Sequence, residues 1–208
     1  MSIYLVEERR VHPSAGAAAL ALFERAWRSL AAYRDRVMYF RLATNLDDPD
    51  HSVTIIRYRD RAESDRLYGA TPAETRRELA SLIVPGTLRR NWAEAVRDID
   101  NFTDESGFVS ILRWQLAPDL VERFLATTQV VQDRFMEQPG TVASRLLRME
   151  ETTFLLVSEY RDVDAARAVR QSGVINLVPP ELAALQRVVF RGDVRLQSSP
   201  NALPPLEG

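Results

Sequence analysis

Residues 52–60 read Ser-Val-Thr-Ile-Ile-Arg-Tyr-Arg-Asp, and residues 154–162 read Phe-Leu-Leu-Val-Ser-Glu-Tyr-Arg-Asp. Each stretch is an apolar run typical of a β-strand that ends in Tyr-Arg-Asp, and each is followed by residues that favour a helix. The same pattern at two distant places in one chain indicates an internal repeat, which decides the architecture before any other feature does.

Matching residues outside these stretches extend the repeat. Pro13 and Pro118 each follow a first strand and open a first helix, and Arg41 and Arg145 fall at matching points of a second strand. The offset between the copies falls from 105 residues at the prolines to 104 at the arginines and 102 at the repeated tyrosines. Small loop deletions explain this drift, so the chain contains two copies of one unit of roughly 100 residues.

Each copy predicts the element order β-α-β-β-α-β, the ferredoxin-like arrangement of an α+β fold. Such a unit forms a four-stranded antiparallel sheet with both helices on one face. The strands are apolar at both alternating positions, as in Ile55 and Ile56, which is typical of a sheet buried on both faces. We therefore expect two sheets packed face to face with the helices outside. The predicted domains are residues 1–104 and 105–197, followed by a Pro- and Ser-rich tail at 198–208.

The first copy carries further local signals. Its first strand, predicted from Ile3 to Val11, turns charged over residues 7–10, so we expect one end of it near solvent. Ser14 and Thr71 precede predicted helices, and each can accept a hydrogen bond from a first-turn amide. Trp27 belongs to an apolar stripe at helical spacing and is expected in the core.

The composition excludes several classes of function. The net charge is −2, from 27 basic and 29 acidic residues, so no strong field attracts nucleic acid or an anionic membrane. The sequence shows neither a long apolar span nor a signal-peptide pattern, and a soluble cytoplasmic protein is the expectation. The chain has no Cys, and all 27 basic residues are Arg. These absences exclude a thiolate nucleophile, Cys-ligated zinc and a Schiff-base lysine.

The common catalytic motifs are absent as well. The sequence contains no Gly-x-Ser-x-Gly of hydrolases and no Gly-x-Gly-x-x-Gly of dinucleotide-binding proteins. Asp47, Asp48, Asp50 and His51 imitate a metal cluster, but the run is short, contains Pro49 and has no partner at ligand spacing. We interpret it as a solvated turn and predict no metal site.

The second copy contains three short motifs: Gln-Pro-Gly-Thr at residues 138–141, Glu-Glu at 150–151 and Glu-Tyr-Arg-Asp at 159–162. These motifs resemble those of a known family, the antibiotic biosynthesis monooxygenase (ABM) family. The resemblance covers residues 107–197 well and residues 3–103 more loosely, through the repeat. That family belongs to the dimeric α/β-barrel superfamily. The resemblance therefore implies a tandem repeat that forms an intrachain dimeric α/β barrel.

The resemblance also implies an activity: a cofactor-independent monooxygenase of secondary metabolism that acts on an aromatic or polyketide-like small molecule with molecular oxygen. In such enzymes the substrate carbanion reacts with oxygen, while the protein binds and orients the substrate and stabilises charge. Heme-degrading members carry an Asn on the first strand, a Trp ending the third strand and a His on the second helix. This sequence departs at each position, with Tyr58 and Tyr160 where the Trp would stand, which argues against heme breakdown.

Five residues are candidates for the site, and each has a structural alternative. Tyr58 and Tyr160 are catalytic candidates, since a phenol can donate to a substrate oxygen or relay a proton; alternatively they close the core with the hydroxyl in solvent. Arg145 as a catalytic residue and Arg41 as a substrate-binding residue can stabilise an enolate, or can instead pair with a carboxylate. Trp114 can wall a substrate pocket or pack in the core.

Two other functions stay open on this fold. A polyketide cyclase or isomerase would use positioning and a general acid instead of oxygen, and an accessory protein would bind a small molecule without reaction. The second copy keeps the family pattern better and is the expected location of the site. We expect a monomeric pseudo-dimer or a homodimer, with no nucleic-acid or membrane partner.

Overall fold

Strands and helices alternate along the described part of the chain. The computed structural model describes residues 3–30, 37–101 and 105–198. The first helix is predicted from the sequence to run from Ala15 to about Arg34, and the part of it beyond residue 30 lies outside these residues, as does the predicted tail after residue 198. Within them, no helix is both long enough and apolar enough to cross a membrane.

The first copy has its strands and helices in the order predicted from the sequence. They are β1 (Ile3–Arg10), α1 (Gly16–Ser29), β2 (Val37–Asn45), β3 (His51–Tyr58), α2 (Arg61–Ala70), α3 (Ala73–Leu82) and β4 (Arg89–Asp100). The strand predicted at the end of this copy is confirmed as β4, in spite of its many charged residues.

The second copy follows the same order, which confirms the predicted alternation. Its elements are β5 (Phe108–Gln115), α4 (Val121–Met136), β6 (Thr141–Glu150), β7 (Thr153–Tyr160), α5 (Val163–Gln171), α6 (Pro180–Ala183) and β8 (Gln186–Ser198). Short 3₁₀ turns at Pro118–Leu120 and Val174–Leu177 precede α4 and α6. This succession of elements is ferredoxin-like.

The described residues fall into two compact units. The first unit is drawn from Met1–Trp92 and Arg195–Gly208, and the second is Ala93–Val194. Both boundaries therefore lie inside strands, β4 and β8. Separate domains at 1–104 and 105–197 stay a prediction.

In the first unit, β3 lies between β1 and β2, and both pairings are antiparallel. Leu5 of β1 and Phe40 of β2 both lie opposite Ile56 of β3, which places the three side chains on one face of the sheet. Helix α1 packs Phe23 and Trp27 against this cluster. The apolar stripe of α1 thus covers one face of the sheet, as its helical spacing predicts.

In the second unit, the strand order is β8–β5–β7–β6–β4, with antiparallel pairing throughout. Helix α4 packs Phe124 against Trp114 of β5 and Phe154 of β7, with ring centroids 5.3 and 5.0 Å apart. Every residue of β7 is buried, which is typical of a sheet covered on both faces. The apolar residues at both strand phases are explained by this burial.

The Asp of each Tyr-Arg-Asp motif caps the helix that follows it. The side chain of Asp60 accepts a hydrogen bond from the Glu63 amide at 2.9 Å, and that of Asp162 accepts one from the Ala165 amide at 2.7 Å. Each cap satisfies an amide that would otherwise lack an acceptor in the first turn. The caps predicted at Ser14 and Thr71 are wrong. Ala15 occupies the N-cap position of α1 and Pro72 that of α3, neither with a side-chain bond, and Ser14 has φ of 69°.

Candidate functional site

A cavity of about 540 Å³ lies in the first unit, between the helix-covered face of the sheet and helices α1, α2 and α3. Alternate residues of the strands point to one face, so every second residue of β1 and β3 borders it. These are Leu5, Glu7, Arg9, Thr54, Ile56 and Tyr58. The start of β4 adds Arg90 and Trp92 to the lining.

Aromatic side chains form much of the cavity wall. Trp27 of α1 and Phe40 of β2 stack with centroids 4.1 Å apart and planes at 13°. Tyr58 and Trp92 lie 6.1 Å apart on the lining formed by β3 and β4. Flat apolar walls with a few placed polar groups are characteristic of small-molecule sites.

A buried ionic group supplies the polar part of the cavity. Arg9 is only 2% exposed, and its Nη2 donates a hydrogen bond to Thr54 Oγ1 and lies 3.6 Å from Glu7 Oε2. The guanidinium also lies 4.6 Å from the ring centroid of Phe23. Glu7 is shared, because its Oε1 accepts a 2.7 Å hydrogen bond from Arg90 Nε. Burial lowers the pKa of Arg9, since desolvation disfavours the guanidinium, while Glu7 acts in the opposite direction.

Tyr58 brings a neutral hydroxyl to the same cavity. Burial raises the pKa of Tyr58 well above its ordinary value, against the opposing effect of a hydrogen bond with Ser64. The phenol therefore stays protonated at neutral pH. It can donate a hydrogen bond to a ligand oxygen but cannot act there as a base.

One side of the cavity opens towards solvent beside Tyr68, whose surface is 54% exposed. The guanidinium groups of Arg76 and Arg90 lie 4.7 and 5.7 Å from the centroid of its ring. Leu88 is also exposed and lines the cavity. The opening is therefore bordered by an aromatic ring between two cations.

Tyr58 is the predicted site residue that lines this cavity. Arg41 of β2 lies opposite Ile55 of β3, a position that points to the other face of the sheet. Its Nη1 donates to the Phe40 carbonyl at 2.9 Å, and its guanidinium lies 4.5 Å from the ring centroid of Tyr39. The structure does not bring Arg41 and Tyr58 together.

Tyr160 and Trp114 lie in the packed interior of the second unit. The ring of Tyr160 contacts Phe135 and Phe108, with centroids 5.4 and 6.1 Å away, and burial raises its pKa to about 12. Trp114 Nε1 donates to the Leu182 carbonyl at 3.1 Å. Both side chains pack in apolar clusters beneath helices.

Arg145 belongs to a buried ionic cluster of the second unit. It pairs with Asp98, Asp100 and Glu159, and both Arg145 and Glu159 are almost completely buried. Along β7, Glu159 and Tyr160 point to opposite faces, so Arg145 and Tyr160 do not share a site. The pairing with carboxylates corresponds to the structural alternative for this residue.

The sequence reasoning missed Glu7 and Arg9. Their place in a charged run predicted a solvent-facing strand end, whereas Arg9 is buried. Strand alternation is the signal that could have identified them. Leu5, Glu7 and Arg9 are alternate residues of β1, so they point to the same face of the sheet, the one that the helices cover.

The acidic turn of the first copy is held by ion pairs. Asp48 pairs with Arg10 at 2.7 Å, and His51 Nε2 lies 2.9 Å from Glu8 Oε1. This hydrogen bond lowers the pKa of Glu8 from its ordinary value. Within residues 3–30, 37–101 and 105–198, no group of three His, Cys, Asp or Glu side chains could hold a metal ion.

Comparison with known proteins places this geometry in a family context. Residues 107–176 match the model of the family described as antibiotic biosynthesis monooxygenase. This match confirms the resemblance predicted from the motifs of the second copy. No curated protein sequence matches the chain significantly.

Solved structures of other proteins share the fold along nearly the whole chain. A candidate monooxygenase from Fusobacterium nucleatum subsp. nucleatum has a TM-score of 0.79 at 14% identity, covering 97% of this chain and 96% of that one. A candidate monooxygenase from Lactobacillus acidophilus NCFM has a TM-score of 0.71 at 10% identity, covering 94% and 93%. An anthrone oxidase-like protein has a TM-score of 0.63 at 12% identity, covering 95% and 93%. At these identities the likeness shows the ferredoxin-like ABM fold alone.

Proposed function

We propose that this protein is a cofactor-independent monooxygenase that oxidises an aromatic small molecule of secondary metabolism in the cavity of the first unit. The observation that carries the proposal is the cavity itself, where stacked aromatic walls meet Glu7, Arg9 and the neutral hydroxyl of Tyr58. The ABM match at residues 107–176 supports the reaction class. The likeness to an anthrone oxidase-like protein suggests anthrone as a test substrate.

The proposed reaction draws its electrons from the substrate. Glu7 takes a proton from an activated CH₂ carbon, and the resulting carbanion adds O₂ to form a peroxide anion. That anion takes the proton back from Glu7, and loss of the second C–H proton then breaks the O–O bond and releases water. The net change converts CH₂ and O₂ into C=O and H₂O.

The cavity residues divide this work by charge. As the carbanion forms, negative charge moves to the oxygen conjugated with it, which is the atom that a fixed donor stabilises. Tyr58 stays protonated and can donate to that oxygen, while Arg9 supplies a positive charge on a buried guanidinium. Trp27 and Phe40 both line the cavity, where their stacked pair can contact the rings of the substrate.

Oxygen uptake with anthrone tests the proposal. We expect uptake with one anthraquinone formed for each O₂ consumed, and a loss of about 100-fold or more in Glu7→Gln, since a general base contributes on that order. Glu24→Gln, which changes an exposed carboxylate of α1 outside the cavity, is the control. Ring closure of a polyketide without oxygen uptake would instead support the cyclase or isomerase.

A binding protein without turnover is the second candidate, and one observation favours it. Glu7 is held by two guanidinium groups, since Arg9 contacts its Oε2 and Arg90 its Oε1, so both carboxylate oxygens already have a partner. Tight binding of aromatic ligands with no oxygen uptake would support this function and exclude the monooxygenase.

We also propose that the two copies form an intrachain dimeric α/β barrel in a cytoplasmic protein. The sequence repeat and the apolar residues at both strand phases support this arrangement. It predicts a monomer at micromolar concentration in sedimentation-velocity experiments. Obligate dimerisation at all concentrations would contradict it, because the sheets would then need a second chain to cover them.

A further inference from the structure

Arg9 is a buried cation whose hydrogen-bonding capacity is only partly used. It lines the cavity of the first unit, is 2% exposed, and donates through Nη2 to Thr54. Its Nε–H has no acceptor among the residues that the structure describes. A buried donor without a partner costs free energy, and a charged one costs more, so a partner supplied by a ligand would be strongly favoured.

The charges around the cavity leave a positive excess. Three guanidinium groups line it, those of Arg9, Arg76 and Arg90, against the carboxylates of Glu7 and Asp65. Among the arginines that the structure describes, Glu7 is the one of these two carboxylates that forms ion pairs, and it is divided between Arg9 and Arg90. Arg76 Nε likewise lacks an acceptor among the described residues. An incoming anion would therefore meet uncompensated positive charge inside the cavity and at its opening.

The second copy shows that this fold does not need a charge at the position of Arg9. The strand pairings match Ile3 opposite Tyr58 with Phe108 opposite Tyr160, so Trp114 stands at the position of Arg9. Trp114 is buried and packs against apolar neighbours. Since an apolar residue fills this place well in the second copy, packing alone does not require a buried charge at the position of Arg9.

We infer that the ligand of this cavity is an aromatic acid whose carboxylate accepts hydrogen bonds from Arg9, with its rings against Trp27 and Phe40. This inference rests on the proposed function only for the choice of cavity and adds the charge of the substrate to it. A carboxylate has the two acceptor oxygens that match the fork of a guanidinium. The cavity volume of about 540 Å³ is sufficient for a ligand of several fused rings.

Paired probes of equal shape test the inference on the wild-type protein. Anthracene-2-carboxylate and anthracene-2-carboxamide differ in charge but hardly in size, and isothermal titration calorimetry measures the affinity of each. We expect the carboxylate to bind at least about tenfold more tightly, as a charge-assisted hydrogen bond would give. Equal affinities, or no binding of the carboxylate, would overturn the inference whatever any variant does.

Variants then locate the charge that is responsible. Arg9→Gln should remove the preference for the carboxylate, so that the two probes bind with affinities within about twofold of each other. Arg9→Lys should restore part of the preference, because it keeps the charge and loses the planar fork. Arg28→Gln is the matched control, since Arg28 lies on α1, is 77% exposed and does not line the cavity. A preference that persists in Arg9→Gln would contradict the assignment to Arg9.

Oxygen uptake with anthrone separates this inference from the proposed function. Turnover of neutral anthrone with no preference for the carboxylate probe would overturn the inference alone. A preference for the carboxylate that depends on Arg9, with no oxygen uptake from anthrone, would overturn the monooxygenase proposal and leave the inference standing.

Discussion

The two copies use the same strand pairing to build different interiors. In the first copy, Glu7 and Arg9 lie on the helix-facing side of β1 and border a cavity. At the matching positions of β5 the second copy has Leu112 and Trp114, which pack in an apolar cluster with Phe124. A few side chains on one strand therefore decide whether this fold holds a cavity or a filled core.

The repeated tyrosines show the same contrast at a single residue type. Tyr58 lines the cavity and bonds to Ser64, whereas Tyr160 is enclosed by the rings of Phe108 and Phe135. Burial raises the pKa of both phenols, so burial alone does not distinguish a functional Tyr from a structural one. What distinguishes the two tyrosines is the cavity, which Tyr58 lines and Tyr160 does not.

The largest expected effect concerns the matched pair Trp114 and Arg9. Trp114→Ala should reduce the free energy of unfolding by about 3–5 kcal/mol, because it leaves a void in a packed cluster and the Leu182 carbonyl without its donor. Arg9→Ala should reduce it by less than half as much, since Arg9 already borders a cavity and its removal relieves a buried charge. Urea unfolding followed by circular dichroism measures both. Equal losses of unfolding free energy in the two variants would contradict the difference between the two interiors.

The next prediction transfers the residues of the second copy into the first. Glu7→Leu combined with Arg9→Trp should fill part of the cavity and weaken the binding of anthracene-2-carboxylate about 100-fold, with stability retained. Leu112→Met in the second unit is the control. It exchanges two side chains of similar volume and should not alter the affinity for the probe. Full binding by the double variant would show that the probe binds elsewhere.

A third prediction separates the repeated tyrosines by activity. Tyr58→Phe should lower the rate of oxygen uptake with anthrone about tenfold to 100-fold, because a donor to the developing oxyanion is lost. Tyr160→Phe should leave the rate within about twofold, since its hydroxyl lies outside the cavity. A larger loss from Tyr160→Phe than from Tyr58→Phe would move the site to the second unit.

The smallest expected effect is a pH dependence found in the first copy. The hydrogen bond between Glu8 and His51 lowers the pKa of Glu8. This pair therefore stabilises the fold above pH 4.5, and the stabilisation is lost as the pH falls below that value. Glu8→Gln should cost less than about 1 kcal/mol at pH 7, and the difference from wild type should shrink on acidification. Thermal unfolding between pH 3 and 7 measures it.

The second copy supplies the control for this pH dependence. Arg113 stands at the position of Glu8, and Thr153 at that of His51. Arg113→Gln should show no such convergence with wild type at low pH. A difference for Glu8→Gln that grows on acidification would contradict the sign of the assigned pKa shift.

The strand–helix order could be predicted from the sequence because apolar periodicity and the repeat both report it. The sequence also singles out Tyr58, which lines the cavity, because it ends a repeated strand. The helix caps are harder to predict: Ser14 and Thr71 are the expected caps, whereas Asp60 and Asp162 are observed. A cap depends on the backbone angle before the helix, which composition alone does not report.

The location of the cavity could not be predicted, because it depends on what meets across the space between sheet and helices. The better family match of the second copy favoured a site there, whereas the cavity lies in the first unit. A charged run at residues 7–10 suggested solvent exposure, but strand alternation turns Arg9 inward while Arg10 stays exposed. Burial of such a residue becomes visible only when its neighbours on β3 and α1 are known.

A crystal structure with bound anthracene-2-carboxylate would show whether the cavity of the first unit is the ligand site. We expect electron density for the rings beside Trp27 and Phe40, with the carboxylate within hydrogen-bond distance of Arg9. Density for the probe beside Trp114 and Phe124, or beside Tyr160, with the first cavity occupied by water alone, would contradict this expectation.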